Sequence, residues 1–94
     1  MTETDIKREI TGALEACGAI VIRMNAGRVR KNVHMAPAGT PDLLAIGRYR
    51  TYWIEVKKPG ETLRSAQEDM IQLLRDRGHE VVIATGIDDL PLPI

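Results

Sequence analysis

A strand, a helix and a second strand follow one another in the second half of the chain, and this order limits the folds open to it. Residues 51–57 and 81–84 are rich in β-branched or aromatic side chains and have the length of strands. Between them, the pattern predicts a helix from Ser65 to about Arg77, ended by Gly78. Two strands joined through a helix run parallel if they share a sheet. The second half therefore predicts an α/β unit.

The first half of the chain adds a helix and two further strands. Thr2 and Asp5 resemble a capping box, and apolar residues recur at helical spacing over about 3–17 until Gly18. The remaining elements are a buried strand at 19–24, a long loop at 25–41, and a strand at 42–46 joined in a hairpin to 51–57. The predicted order is αβββαβ, a mixed sheet flanked by helices.

Length and composition favour one small folded unit. The chain has 94 residues, 44% of them hydrophobic, so we expect a single stand-alone domain over 1–94. Its one cysteine, Cys17, forms no internal disulfide, which excludes a disulfide-stapled secreted scaffold. The sequence has no apolar run of the roughly 20 residues that a membrane helix needs and no signal-peptide pattern at its start. We therefore expect a soluble, intracellular protein.

Charge is unevenly distributed although 13 basic and 13 acidic residues balance. The stretch 19–50 is strongly basic, and Asp42 is its only acid. A basic stretch of this kind is typical of a phosphate-binding surface, although a solvated loop has the same composition. The basic residues of this stretch are Arg23, Arg28, Arg30, Lys31, Arg48 and Arg50.

Two acids and a lysine form the most informative group. Glu55 and Lys57 are two residues apart on one predicted strand, so they project to the same face, and the hairpin brings Asp42 next to Glu55. Two adjacent carboxylates in a partly buried cleft need a counter-charge, which a divalent cation commonly supplies. An exposed cross-strand ion pair is the alternative interpretation of the same spacing.

The kinds of ligand decide which metal would fit. Carboxylate oxygens are hard ligands that suit Mg²⁺ or Mn²⁺. The single cysteine and the two scattered histidines, His34 and His79, argue against a tetrahedral zinc site. Trp53, on the same face as Glu55, indicates that this surface is partly covered.

These residues resemble a known signature. Pro41-Asp42 and Glu55-Val56-Lys57 resemble the motif of the PD-(D/E)XK nucleases, which have a restriction-endonuclease-like core. The wider pattern is similar to the VRR-Nuc (virus-type replication-repair nuclease) branch over almost the whole chain. The further motifs are the acidic start of the first helix, Asn25-Ala-Gly27, Gly39-Thr-Pro-Asp-Leu-Leu44, the block from Trp53 to Gly60, and Ser65-Ala-Gln67.

The resemblance implies hydrolysis of phosphodiester bonds by a Mg²⁺- or Mn²⁺-dependent endodeoxyribonuclease. It implies that Asp42, Glu55 and the backbone carbonyl of Val56 hold the metal, while Lys57 orients or activates the attacking water. Such an enzyme acts in the cytoplasm of a bacterial or phage-infected cell and needs no organic cofactor.

The family also places a glutamate on the first helix and a glutamine on the second. Helical geometry puts Glu3 near the centre of the apolar stripe, with Glu9 to one side and Asp5 farther away. We therefore assign Glu3 to the site, bound to the metal directly or through water. Gln67 lies near the inward stripe of the second helix and either faces the site or lies on the helix surface.

The expected partner is branched DNA, with a four-way (Holliday) junction as the substrate and a homodimer as the active form. Ile71 and an exposed apolar tail, Leu90, Leu92 and Ile94, are the predicted dimer contacts. A flap or single-strand nuclease acting as a monomer and a non-catalytic nucleic-acid-binding module are the alternatives. The predicted nucleic-acid contacts are Arg23, Asn25, Arg28, Arg30, Lys31 and Lys58.

Overall fold

The computed structural model describes residues 1–24, 28–30, 33–34 and 36–94. Its elements follow the predicted order, with one addition in the middle of the chain. They are α1 Glu3–Ala16, β1 Ile20–Arg23, β2 Arg28–Arg30, β3 Val33–His34, β4 Leu43–Ile46, β5 Thr51–Val56, α2 Ser65–Asp76 and β6 Glu80–Ala84, followed by a 3₁₀ turn at Ile87–Asp89.

The main sheet has four strands in the order β1-β4-β5-β6. β4 pairs antiparallel with both β1 and β5, whereas β5 and β6 are parallel. This arrangement confirms the predicted hairpin, the parallel pair joined through α2, and the mixed αβββαβ sheet.

The prediction of an uninterrupted loop over 25–41 is wrong. β2 and β3 form a separate antiparallel two-stranded ribbon, in which Arg28 pairs with His34 and Arg30 with Val33. Strands of three and two residues are too short to display an alternating period, so the neighbouring Gly and Pro signals dominate the local pattern.

α1 and one face of the sheet form the hydrophobic core. Thr2 and Asp5 make the predicted capping box, with N···O distances of 3.0 and 3.1 Å. From α1, Ile10 and Leu14 are completely buried. The sheet residues packed in the same core are Leu43, Ala45, Tyr52, Ile54, Val56 and Ala84.

α2 packs against edge strand β6 on the opposite face, and here two predictions are wrong. Ile71, expected at the surface, is the buried residue of α2, whereas Leu73 is exposed. Because α2 contacts mainly one edge strand, a narrow stripe suffices, and Ile71 occupies it. The predicted exposed tail instead folds back: Leu90 and Ile94 are buried in the core, because they close the open end of the packing between α1 and the sheet.

The described residues include no helix long and apolar enough to cross a membrane.

Gly39 lets the chain before β4 approach the start of α2. Its φ of +83° lies in the left-handed region, and a Cβ at this position would overlap the backbone carbonyl of Ala66. A side chain is therefore excluded twice, by the backbone conformation and by the lack of space. This contact holds residues 36–40 against α2, close to Asp42, which immediately precedes β4.

We predict that Gly39→Ala destabilises the fold more than Gly78→Ala does. Gly78 has nearly the same conformation, with φ of +86°, but nothing lies within 4 Å of an added Cβ. Gly78→Ala should cost about 1 kcal/mol, and Gly39→Ala about 2 kcal/mol more, because only the latter also overlaps backbone. Urea unfolding of the two variants measures the difference. Equal losses would contradict the close contact between Gly39 and α2.

Candidate active site

The candidate site lies at the end of the sheet where β4 begins, β5 ends and both helices start. Asp42 immediately precedes Leu43, whose partner across the hairpin is Ile54, so Asp42 lies opposite Glu55. The Asp42 carboxylate is held there because its Oδ2 accepts a hydrogen bond from the backbone N–H of Val56 at 2.9 Å. Register and this hydrogen bond together place the two acids side by side, as the spacing predicted.

Glu55 is the acid of this site that is least favourable to ionise. Its residue is only 1% exposed, and its Oε1 has no hydrogen-bond partner among the described residues. Burial raises the pKa of Glu55 to about 9, and contact with the Asp42 carboxyl adds to this rise, while Lys57 opposes it. An ionised Glu55 is therefore unfavourable unless a cation compensates it.

Lys57 follows Glu55 on the same face and is 4% exposed. Its backbone N–H donates to the Ala84 carbonyl at 3.0 Å, which continues the β5–β6 ladder and fixes the residue. Its positive charge lowers the pKa of both Glu55 and Glu61. The exposed-face interpretation of this pair is thus wrong, because both side chains are buried.

Glu61 lies beside this group and was not predicted from the sequence. The backbone N–H of Lys58 donates to its Oε1 at 2.9 Å, and this bond is the main reason that the pKa of Glu61 is lowered. Its carboxylate also contacts Glu3. Pro59-Gly60 marks a turn after β5, but a turn signal does not show which site the next side chain faces, so it did not point to Glu61.

α1 brings Glu3 to the acid pair. Glu3 is half-buried and its charge contributes to the raised pKa of Glu55. Glu9 is exposed, and Asp5 is engaged in the helix cap. Among the three acids of the first helix, the structure thus places the predicted Glu3 at the site.

Lys7 is a second unpredicted member. Its Nζ lies 3.4 Å from Oδ1 of Asp42, with 24% and 15% of the two side chains exposed. A sequence signal did exist, because Lys7 is four residues after Glu3 and therefore on the same helical face.

A cavity of about 340 Å³ opens beside the acids. Gln67 and Arg64 line it from the start of α2, facing Asp42 and Glu55 across the cleft. Gln67 therefore faces the site, and its Oε1 accepts a hydrogen bond from the Arg64 backbone N–H at 2.9 Å. Arg64 is the N-cap of α2, and this glutamine reaches back to satisfy its backbone N–H. Residues 36–40 form the remaining wall.

Two of the predicted nucleic-acid contacts, Arg23 and Lys58, are exposed near this region. Arg23 is exposed at the end of β1, and the next residue, Met24, donates its N–H to the Asp42 carbonyl at 2.9 Å. The end of β1 is thus held beside Asp42. Lys58 is exposed just beyond Lys57. Arg28 and Arg30 belong to β2, whereas Asn25 and Lys31 lie outside the described residues.

The donor set fits a hard divalent cation. Asp42 and Glu55 supply adjacent carboxylates, and a buried oxygen of Glu55 has no partner within the described part of the chain. Val56 adds the neighbouring backbone carbonyl that the resemblance implies. No group of three or more His, Cys, Asp or Glu side chains is arranged to hold a metal within the described part of the chain. Two carboxylates suit Mg²⁺, which usually keeps several of its waters.

The fold is consistent with a PD-(D/E)XK-like domain. A solved structure described as a VRR_NUC domain has a TM-score of 0.74 and 22% identity to this chain, covering 92% of this chain and 86% of its own. Another, described as a VRR_NUC domain protein, has a TM-score of 0.57 and 25% identity, covering 95% and 81%.

The VRR-NUC domain family model matches residues 3–88, and the chain belongs to this family. No curated protein matches the chain. Family membership supports a nuclease-type function, that of an endonuclease in general, acting on DNA.

We predict that Glu55→Gln stabilises the metal-free fold at neutral and alkaline pH. The unfolded chain releases the Glu55 proton near pH 4.5, but the folded chain keeps it up to about pH 9. The folded state thus binds more protons in this window, and its stability falls as pH rises through it. The variant should not show this fall. Below about pH 4 its stability should match that of the wild type, because Glu55 is then neutral in both the folded and the unfolded wild-type chain.

Thermal melts with a chelator between about pH 4 and pH 9 measure this effect. Glu9→Gln is the matched control, because Glu9 is an exposed acid of α1, and it should leave the pH dependence of the wild type unchanged. An unaltered pH dependence in Glu55→Gln would contradict the burial of an ionisable Glu55.

Proposed function

We propose that this chain is a divalent-metal-dependent endodeoxyribonuclease that resolves branched DNA, four-way junctions in particular, as a homodimer. The observation that carries the proposal is the Oε1 of Glu55, which is buried beside the Asp42 carboxylate and Lys57 and has no hydrogen-bond partner among the described residues. A buried acid pair of this kind lowers the stability of the fold. We therefore infer that the acid pair binds a ligand or takes part in a reaction.

Each residue has a distinct role in this proposal. Asp42, Glu55 and the Val56 carbonyl hold Mg²⁺ or Mn²⁺, and Glu3 contributes directly or through a water. Such an ion, when bound, would supply Lewis-acid chemistry, lowering the pKa of a water and stabilising charge on the scissile phosphate. Lys57 is fixed by the sheet, so its ammonium can orient the attacking water and neutralise charge that develops on the phosphate.

Gln67 completes the reaction side of the cavity. Its Oε1 is engaged by the Arg64 backbone, which leaves the amide NH₂ as a donor toward the cleft. We assign this donor to an oxygen of the phosphate or of the attacking water. Arg64, across the cavity from the acids, is suited to a neighbouring phosphate.

The basic segment supplies affinity rather than chemistry in this account. The proposed phosphate contacts of the DNA are Arg23, Asn25, Arg28, Arg30, Lys31 and Lys58. Support comes from Met24, whose N–H donates to the Asp42 backbone carbonyl and so holds the residue after Arg23 beside Asp42. Contacts to phosphates alone select DNA by shape and not by sequence.

Lys57→Met should abolish cleavage and leave DNA affinity in the presence of Ca²⁺ within about two-fold of wild type. Methionine keeps most of the buried volume but has no ammonium to place next to the water. Arg77→Met, at the exposed end of α2 far along the chain from the site, is the control and should cleave normally.

The assay compares labelled four-way junction, flap, single-strand and duplex DNA, each with Mn²⁺ and with a chelator. Junction cleavage that requires Mn²⁺ supports the proposal. Preference for flaps or single strands would favour the monomeric nuclease, and metal-independent binding without cleavage would favour the non-catalytic module.

A patch on β1 and β4 replaces the predicted dimer contacts. Ile20 and Ile22 are 63% and 43% exposed on edge strand β1, beside the half-buried Ile46 and Leu44 of β4. Contiguous apolar surface of this kind is typical of protein interfaces, and a second copy meets it with an identical patch. We propose that the homodimer forms here.

Ile22→Glu should convert the protein from dimer to monomer in light scattering at micromolar concentration. Leu73→Glu is the matched control, because Leu73 is also an aliphatic residue with 43% exposure but lies on α2. It should leave the dimer intact. A dimer that survives Ile22→Glu, or a wild-type monomer, would contradict this interface.

A further inference from the structure

An ammonium of the chain itself already neutralises Asp42. The Nζ of Lys7 lies 3.4 Å from Oδ1 of Asp42, while Oδ2 is engaged by the Val56 N–H at 2.9 Å. Oδ2 keeps one lone pair beside the Val56 N–H, so Oδ1 is the oxygen that is more available to a cation. Lys7 stands at this oxygen.

A divalent ion and Lys7 cannot share Oδ1 in this geometry. Metal–oxygen distances of about 2.0–2.2 Å would bring the ion to within a few ångströms of the ammonium. Two cations at that separation, one of them doubly charged, repel each other strongly even at the effective dielectric of a protein surface. Binding at Asp42 therefore requires Lys7 to move.

The two lysines of the site differ in their freedom to move. Lys57 is 4% exposed and packed in the sheet, whereas 24% of the Lys7 side chain is exposed on the second turn of α1. The separation between Lys7 and Asp42 also exceeds the 2.7–2.9 Å of a tight charge-assisted hydrogen bond. A flexible, loosely paired ammonium can leave, and a buried one cannot.

We infer that Lys7 is the resident counter-ion of Asp42, which it must release before a divalent cation binds, so that Lys7 weakens and thereby sets the metal affinity of the site. This inference rests on the proposed metal-dependent function. Lys7 acts as a positioning residue: it holds Asp42 in place without a metal and raises the metal concentration at which the site fills.

Calorimetric titration of the full chain with Mn²⁺, without DNA, tests this role. Lys7→Gln keeps most of the stem but removes the charge, and should bind Mn²⁺ about three to ten times more tightly than the wild type. Lys7→Arg retains a cation and should restore the weaker affinity. Arg8→Gln, an exposed cation at the next position of α1, should bind like the wild type.

Mn²⁺ binding by Lys7→Gln that is equal to or weaker than that of the wild type would overturn the inference. An equal gain in Mn²⁺ affinity in Arg8→Gln would also overturn it, because that gain would indicate a general charge effect. Failure of the proposed function has a different signature. In that case neither the wild type nor Lys7→Gln binds Mn²⁺, and both proposals are wrong together.

Discussion

The contact between the Asp42 and Glu55 carboxyl groups governs the arrangement of this small domain. Glu55 is almost completely removed from solvent, and one of its oxygens has no partner among the described residues. A sheet end built for stability alone would place an apolar residue there. Two nearby ammonium groups, of Lys7 and Lys57, limit the cost of the acid pair, and each comes from a different element.

The surrounding structure fixes this pair from several directions. The β4–β5 register sets Asp42 opposite Glu55, and the Val56 N–H holds one oxygen of Asp42. Both helices begin at the same end of the sheet, so the first turns of α1 and α2 supply Glu3 and Gln67. The glycine at position 39 allows the connecting chain to pack on α2 and close the cavity wall.

Much of this could be predicted from the sequence, because strand alternation and helical spacing are local properties. They placed the acid pair and Lys57 on one face and selected Glu3 over Glu9. Spacing alone does not show which residues are buried where a helix or the tail packs on the edge of the sheet or the core. Ile71 is buried because α2 covers only one strand, and Ile94 because the tail folds back onto the core, and both depend on tertiary packing. Helical spacing places Lys7 beside Glu3, but its pairing with Asp42 depends on how α1 packs on the sheet, which spacing alone does not give.

Anomalous diffraction from crystals grown with Mn²⁺ measures directly whether the acid pair is a metal centre. The account predicts an anomalous peak within about 2.0–2.3 Å of one oxygen from each of Asp42 and Glu55. A structure with Mn²⁺ bound elsewhere, or with no peak at saturating Mn²⁺ while Glu55 keeps its unpartnered oxygen, would contradict it.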